Sequence, residues 1–179
     1  MCFARSGFAG ASVDLIAEAA GFSKGAFYSN FETKEAAFLI LLERHLDAEI
    51  ERGRGIVDGR NFRTVLARFV DLYSMEDEDQ DWCLLSVEFA LHAARSDTFA
   101  GHYSRLLRRH YKQVAETLTK LADLAGGSLD NPVLSATKFV AFRRGLALDR
   151  SAKSPSLSQQ DVKQSLTTFL LKVLRAPPL

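Results

Sequence analysis

Lys24, Gly25, Ala26, Tyr28, Ser29 and Asn30 carry the clearest chemistry in the sequence, and it is the chemistry of contact rather than of bond breaking. Lys24 can reach a guanine acceptor or a phosphate. Ala26 can touch a thymine methyl, and Tyr28 and Asn30 can hydrogen-bond to backbone or base edges in a major groove. Lys34 follows Thr33, the cap of another helix, and adds a cation where a phosphate could also meet helix amides.

Side chains of this kind need a short helix held at a fixed angle to a second one. Ser12 is a good N-cap, and Val13, Ile16, Ala17 and Ala20 then recur at helical spacing to form one apolar face. Ala17 is small enough for a close helix crossing. Gly21 can take the positive φ that turns the chain, with Phe22 expected to plug the corner. Ser23 caps the next helix, in which Phe27 and Phe31, four apart, pack inward and leave the polar set outward. The pattern reads as a helix-turn-helix; the competing reading is the same motif used for packing alone.

Ala17 to Gly21, Ser23-Lys24-Gly25, Tyr28, Phe31 and Lys34-Glu35 resemble the DNA-binding signature of the TetR family of bacterial transcriptional regulators. The resemblance implies an all-α homodimeric repressor, with the DNA-binding head at the N-terminus and a divergent helical body that takes a small-molecule inducer. Carried over by position, the family's base and phosphate contacts fall on Ser12, Ser23, Lys24, Gly25, Ala26, Tyr28, Asn30 and Lys34. The family has a full helix before this motif, whereas only Met1 to Arg5 precede Ser6-Gly7. The head therefore reads as shortened: either the natural start lies upstream, or part of the head is lost and DNA affinity with it. Charge is the second departure, because Arg5, Lys24 and Lys34 are balanced by Asp14, Glu18 and Glu32. Phosphate attraction supplies much of non-specific affinity, so this is a thin footprint.

The rest of the chain keeps helical periodicity, and its 179 residues, 47% hydrophobic and 25% charged, suffice for a proper core. The expected division is a head with its connecting helix over residues 1–51 and a ligand-binding, dimerising body over 52–179. Thr33 to Arg52 reads as one helix, apolar nearly all round from Ala36 to Leu42, ended by Gly53 and Gly55. It is the candidate link between ligand and DNA. The acidic run Glu76 to Asp81 reads as a solvated loop, or a site for a cation or basic ligand, with helix resuming at Trp82. Arg105, Arg108, Arg109 and Lys112 line one flank of the next helix, as a solvated face or a second nucleic-acid surface.

Two broad apolar helices, Leu134 to Leu148 and Ser158 to Leu174, close the chain. Leu134, Val162, Leu166, Phe169, Leu170 and Val173 are read as the interface of a four-helix bundle between two copies; the alternative is that they bury each other within one. An inducer pocket is expected among the middle helices, from Phe69, Tyr73, Trp82, Glu88, Phe89, His92, Phe99, Tyr103, Tyr111, Phe139, Phe142 and Arg143. Each aromatic there could equally be core. Glu88, His92 and Arg143 are the better candidates, because a polar group on an apolar face needs a partner.

Enzymatic chemistry finds no support: there is no Gly-rich phosphate loop, HExxH, GxSxG or paired Cys or His set, and no cofactor or metal is implied. Cys2 and Cys83 are far apart and suit a reducing cytoplasm, Cys83 as a small buried hydrophobe or a redox-sensing thiol. No apolar run approaches the ~18 residues that span a bilayer. The implied partners are operator DNA, a small apolar or aromatic inducer and a second copy of the chain. The alternative is a dimeric helical ligand-binding or adaptor protein that has lost DNA binding.

Overall fold

The computed structural model describes residues 7, 8, 10–58, 61–74 and 77–176, with residues 77–81 as backbone. Among the described residues there are eight helices of seven residues or more and no strand. They are α1 (Val13–Ala19), α2 (Lys24–Asn30), α3 (Lys34–Val57), α4 (Phe62–Tyr73), α5 (Asp77–Ala93), α6 (Asp97–Leu124), α7 (Pro132–Arg150) and α8 (Gln159–Val173). The all-α head-and-body architecture is the one the sequence implies.

Most helix starts are set by one device. Ser12, Ser23, Thr33, Asn61, Ser96, Asn131 and Ser158 each sit in extended backbone and accept, through the side chain, an amide that the helix leaves unpaired. Ser158 and Asp161 complete a reciprocal capping box.

The head is built by α1, α2 and the start of α3. Gly21 takes φ +74, and the amide of Phe22 closes the turn on the Ala17 carbonyl at 2.9 Å. Phe27 is buried and Phe31 half-buried, their ring centroids 5.1 Å apart. Phe22 corrects the expectation: it does not plug the corner but stands 68% exposed, its ring on the rim of an open apolar groove shared with Ile16, Phe27 and Leu41.

Gly53 and Gly55 do not end α3, which continues to Val57. Gly53 serves close packing instead, since a Cβ there would lie 2.9 Å from the Tyr73 hydroxyl of α4. At 1.5 Å per residue the 24-residue helix is about 36 Å long, enough to join head and body. The acidic run also differs from expectation: from Asp77 onward it is the first turn of α5. Carboxylates at a helix N-terminus are favoured by the exposed amides there, so a charge run that reads as a loop can start a helix.

The body has two apolar cores. The larger joins α3, α4, α6, α7 and α8 around Ile50, Leu66, Phe69, Tyr73, Leu118, Phe139, Leu166 and Leu170. The smaller joins the head to α3, α5 and α6 around Phe8, Phe38, Leu42, Leu85, Phe89, Phe99 and Tyr103. Phe38 and Phe89 stack with centroids 3.6 Å apart, and Phe8 lies on Phe38 at 4.6 Å.

This packing corrects part of the expected dimer face. Val162, Leu166 and Leu170 are at most 1% exposed within the single chain, turned against α4 and α7, so they cannot meet another copy. Phe169 and Val173 are half-buried, while Leu134 is 48% exposed. A helical apolar stripe marks a face that is covered, whichever chain covers it.

Candidate nucleic-acid interface and ligand cavity

Every residue of the outward set falls on α2 or at its edges, because Ser23 starts that helix and Phe27 fixes which side faces in. Ser12, Ser23, Lys24, Gly25, Tyr28, Ser29 and Asn30 are exposed, and Ala26 is half-buried beside the groove. Tyr28 is the largest outward side chain, 50% exposed, with its ring edge-on to Phe27. Ser29 and Asn30 both donate to the Ala26 carbonyl, at 2.9 and 2.8 Å, which holds them against the helix end.

The cations are not idle. Lys24 Nζ lies 2.9 Å from Asp14 on α1, and that hydrogen bond and charge hold its pKa above the usual lysine value. Lys34 Nζ donates to the Phe8 carbonyl at 2.7 Å and sits 4.2 Å from the centre of the Phe8 ring. Its ammonium therefore ties α3 to the segment before α1, so in this structure it serves the head's own packing. Arg5 lies outside the described residues.

A second site sits where the two cores meet. A cavity of about 60 Å³ opens between α3, α5, α6 and α7, and of the residues named for a pocket Trp82, Phe89, Tyr103 and Arg143 lie in its walls. The remaining expected residues go elsewhere. Phe69, Tyr73 and Phe139 pack together in the larger core, Tyr111 flanks that core, and Phe142 stacks on Phe169 at 4.6 Å. Glu88 and His92 serve the head junction. Glu88 accepts the backbone N–H of Phe8, and His92 sits between Phe8 and Phe99, tilted to the first ring and edge-on to the second, with Nε2 3.6 Å from Glu35. For these residues the pocket expectation is corrected: their partners lie in the core or the head.

The cavity's polar side was not anticipated. His45 and Glu49 on α3, Cys83 on α5, His110 on α6 and Arg144 on α7 all line it. Glu49 is 4% exposed and its carboxylate meets the Arg143 guanidinium at 3.1 Å. Burial pushes the Glu49 carboxyl up, but the positive charges around it, Arg143 first, outweigh that and hold the group below the usual range. Burial does the reverse to the imidazoles: His45, stacked on Trp82 at 3.8 Å, is lowered to about 4, and His110 is lowered as well. Both are neutral at pH 7. Burial raises the Cys83 thiol, which makes it a poor thiolate source. One signal was available: His110 interrupts the stripe of Tyr103, Leu107 and Val114, a polar residue where spacing demands an apolar one.

Among the described residues no group of three or more His, Cys, Asp or Glu could hold a metal ion, and no helix is long and apolar enough to cross a membrane. Arg109 of the basic flank is held by Glu43 and Asp47 on α3 at 2.7 and 2.9 Å.

Comparison with known proteins converges on the head and the fold. Residues 1–39 match the family model of bacterial regulatory proteins, tetR family. Over 54 residues the chain is 39% identical to YerO of Bacillus subtilis (strain 168), described as an uncharacterized HTH-type transcriptional regulator; the match covers 30% of this chain and 19% of that protein. The fold is similar to that of a transcriptional regulator from Rhodococcus sp. Rha1, with TM-score 0.80 at 23% identity over 99% of this chain and 93% of the other. It is also similar to a regulator from Saccharomonospora viridis solved in complex with choline, with TM-score 0.73 at 20% identity over 94% and 88%.

Proposed function

From the premise that this chain belongs, by its head and its fold, to the TetR family of bacterial regulatory proteins, we propose that it is a ligand-responsive transcriptional regulator acting in the cytoplasm. It binds operator DNA as a homodimer through α2, most simply as a repressor, and lets go when a small molecule enters the body. The observation that carries this reading is the unbroken course of α3. The same helix holds Lys34 beside the head and His45 and Glu49 in the cavity wall. A change at the cavity therefore has a rigid path to the DNA-facing end.

Dimerisation is assigned to the outer face of α7 with the accessible edge of α8. Leu134 and Leu148 are 48% and 40% exposed, with Ala141 and Gly145 also exposed between them. Small residues between large ones let two helices approach closely. A two-fold dimer would place two α2 helices on half-sites about one helical turn, or a multiple, apart. To take a population from 99% DNA-competent to 1%, the ligand must prefer the released form by about 10⁴-fold.

The test is binding of the purified chain to a labelled duplex from the DNA flanking its own gene, at two salt concentrations. Saturable binding that needs a palindrome and weakens with salt is expected. Failure to distinguish that duplex from a scrambled one would overturn the operator reading and favour a helical adaptor.

A further inference from the structure

We propose that the cavity between α3, α5, α6 and α7 binds a small organic anion, a carboxylate of a few carbons up to a single ring, with Arg144 and His110 at its charged end and Trp82, Phe89 and Tyr103 around its apolar body. The proposal rests on the ligand-responsive reading above and narrows it.

The charge count of the walls gives the sign. Glu49 is matched by Arg143 at 3.1 Å, which leaves the Arg144 guanidinium. Arg144 is half-buried, has the Tyr103 side chain as a polar neighbour, and makes no ion pair among the described residues. With both imidazoles neutral, the lining carries one positive charge in excess. A partly desolvated cation with a hydrogen-bonding neighbour but no counter-charge is costly, and an anion would relieve it, whereas a cation would add to it.

His110 supplies the second observation. It is 2% exposed, it lines the cavity, and its Nδ1 has no hydrogen-bond partner. Buried polar atoms of native proteins are nearly always paired, so an orphan in a cavity wall marks where a ligand atom belongs. A neutral imidazole N–H there can donate to a carboxylate oxygen, and the guanidinium can take the other. Size sets the upper limit. At roughly 10–15 Å³ of such space per water, about 60 Å³ corresponds to some four to six waters, and a long-chain ligand does not fit without opening the helices.

Trp82 reports on occupancy, being the chain's single tryptophan and part of the wall. The full chain is titrated with benzoate, benzamide and choline while Trp82 fluorescence is followed. Benzoate should give a saturable change, benzamide should bind about tenfold more weakly or worse, and choline should give none, since a charge-assisted hydrogen bond contributes that much. Arg144→Gln should cost benzoate about tenfold and leave benzamide unchanged, while Arg144→Lys retains most of the benzoate affinity. Circular dichroism of each variant confirms folding. Equal binding of benzoate and benzamide, tighter binding of choline, undiminished benzoate binding by Arg144→Gln, or no response to benzoate, propionate or acetate would each overturn the anion assignment. The same samples mixed with the labelled duplex separate the two readings. Release of DNA by choline or benzamide but not benzoate keeps the regulator and ends the anion. Benzoate binding by a chain that ignores every duplex keeps the anion site and ends the regulator.

Discussion

Glu88 on α5 accepts the backbone N–H of Phe8, while Lys34 on α3 donates to the carbonyl of the same residue. Phe8 is thus held on one side by the body and on the other by the head's own long helix. Its ring completes the clamp on Phe38 and His92. Replacing Glu88 with Ala leaves a part-buried amide unpaired, and the expected cost is about 1–2 kcal/mol in urea unfolding. The informative readout is coupling: DNA binding by Glu88→Ala should respond less to any inducing ligand than the parent does. Unchanged coupling would show that the clamp is only structural.

Lys24 and Asp14 neutralise one another across the head at 2.9 Å. Freed of that carboxylate, Lys24 would meet phosphate or guanine at full charge. Asp14→Asn is therefore expected to tighten duplex binding severalfold, and Lys24→Ala to weaken it and flatten the salt dependence by about one counterion per head. Electrophoretic mobility shifts between 50 and 200 mM salt, concentrations over which such contacts change affinity by orders of magnitude, measure both.

Gly53 and Tyr73 make a second paired prediction. A methyl at Gly53 gains roughly 1 kcal/mol of helix propensity but meets the Tyr73 hydroxyl at 2.9 Å, and Tyr73 is 2% exposed among Phe69, Phe139 and Arg143. Overpacking of this kind costs about 1–3 kcal/mol, so Gly53→Ala should lower the unfolding midpoint. In a Tyr73→Phe background the nearest ring atom is at 3.8 Å, an ordinary contact, and the same change should stabilise. A double-mutant cycle by thermal unfolding reads the difference.

Acid should weaken the fold well before the carboxylates titrate. His45 is lowered to about 4, by burial first and then, against the pull of Glu49, by Arg143, Arg52 and His110. An unfolded histidine takes its proton near 6.5, so between about 6.5 and 4 the unfolded chain binds protons that the folded one refuses. Stability therefore falls as pH falls through that window. His110, lowered mainly by burial, adds in the same direction. His45→Phe keeps a ring against Trp82 and removes one titration, so its melting temperature should drop less between pH 7 and 5.

Much of the head was legible because its boundaries are local: Ser12, Ser23 and Thr33 cap, Gly21 turns, and Phe27 faces in, each within a few residues of what it controls. Phe22 was not, because whether a ring after a turn is covered depends on chain elsewhere. The polar layer of the cavity was missed for a related reason. His45, Glu49, His110 and Arg144 lie on three helices, and nothing in the sequence states that these helices meet. Of the α8 stripe assigned to a second copy, Val162, Leu166 and Leu170 are covered within the chain, the alternative the sequence leaves open, because periodicity marks a covered face without naming its cover. Leu166→Ala, at 0% exposure, should cost about 2–5 kcal/mol in folding, whereas Leu134→Glu with Leu148→Glu should leave the fold intact and yield monomers in sedimentation.

The tight seat of Gly53 has a mechanical consequence. Sliding α3 along its axis by about one turn would bring Glu49 or Val57, four residues to either side on the same face, against the Tyr73 hydroxyl, so the seat of Gly53 opposes translation of this helix more than it opposes tilting. For a tilt of α3, Gly53 would serve as the fulcrum. His45 and Glu49 lie about 12 and 6 Å from it along the axis, and Lys34 about 28 Å, at 1.5 Å per residue. In such a tilt a displacement at the cavity wall would be magnified roughly two- to fivefold at the head by leverage alone. By the same ratio, an ångström of swelling around a small bound molecule would shift the head end of α3 by several ångströms.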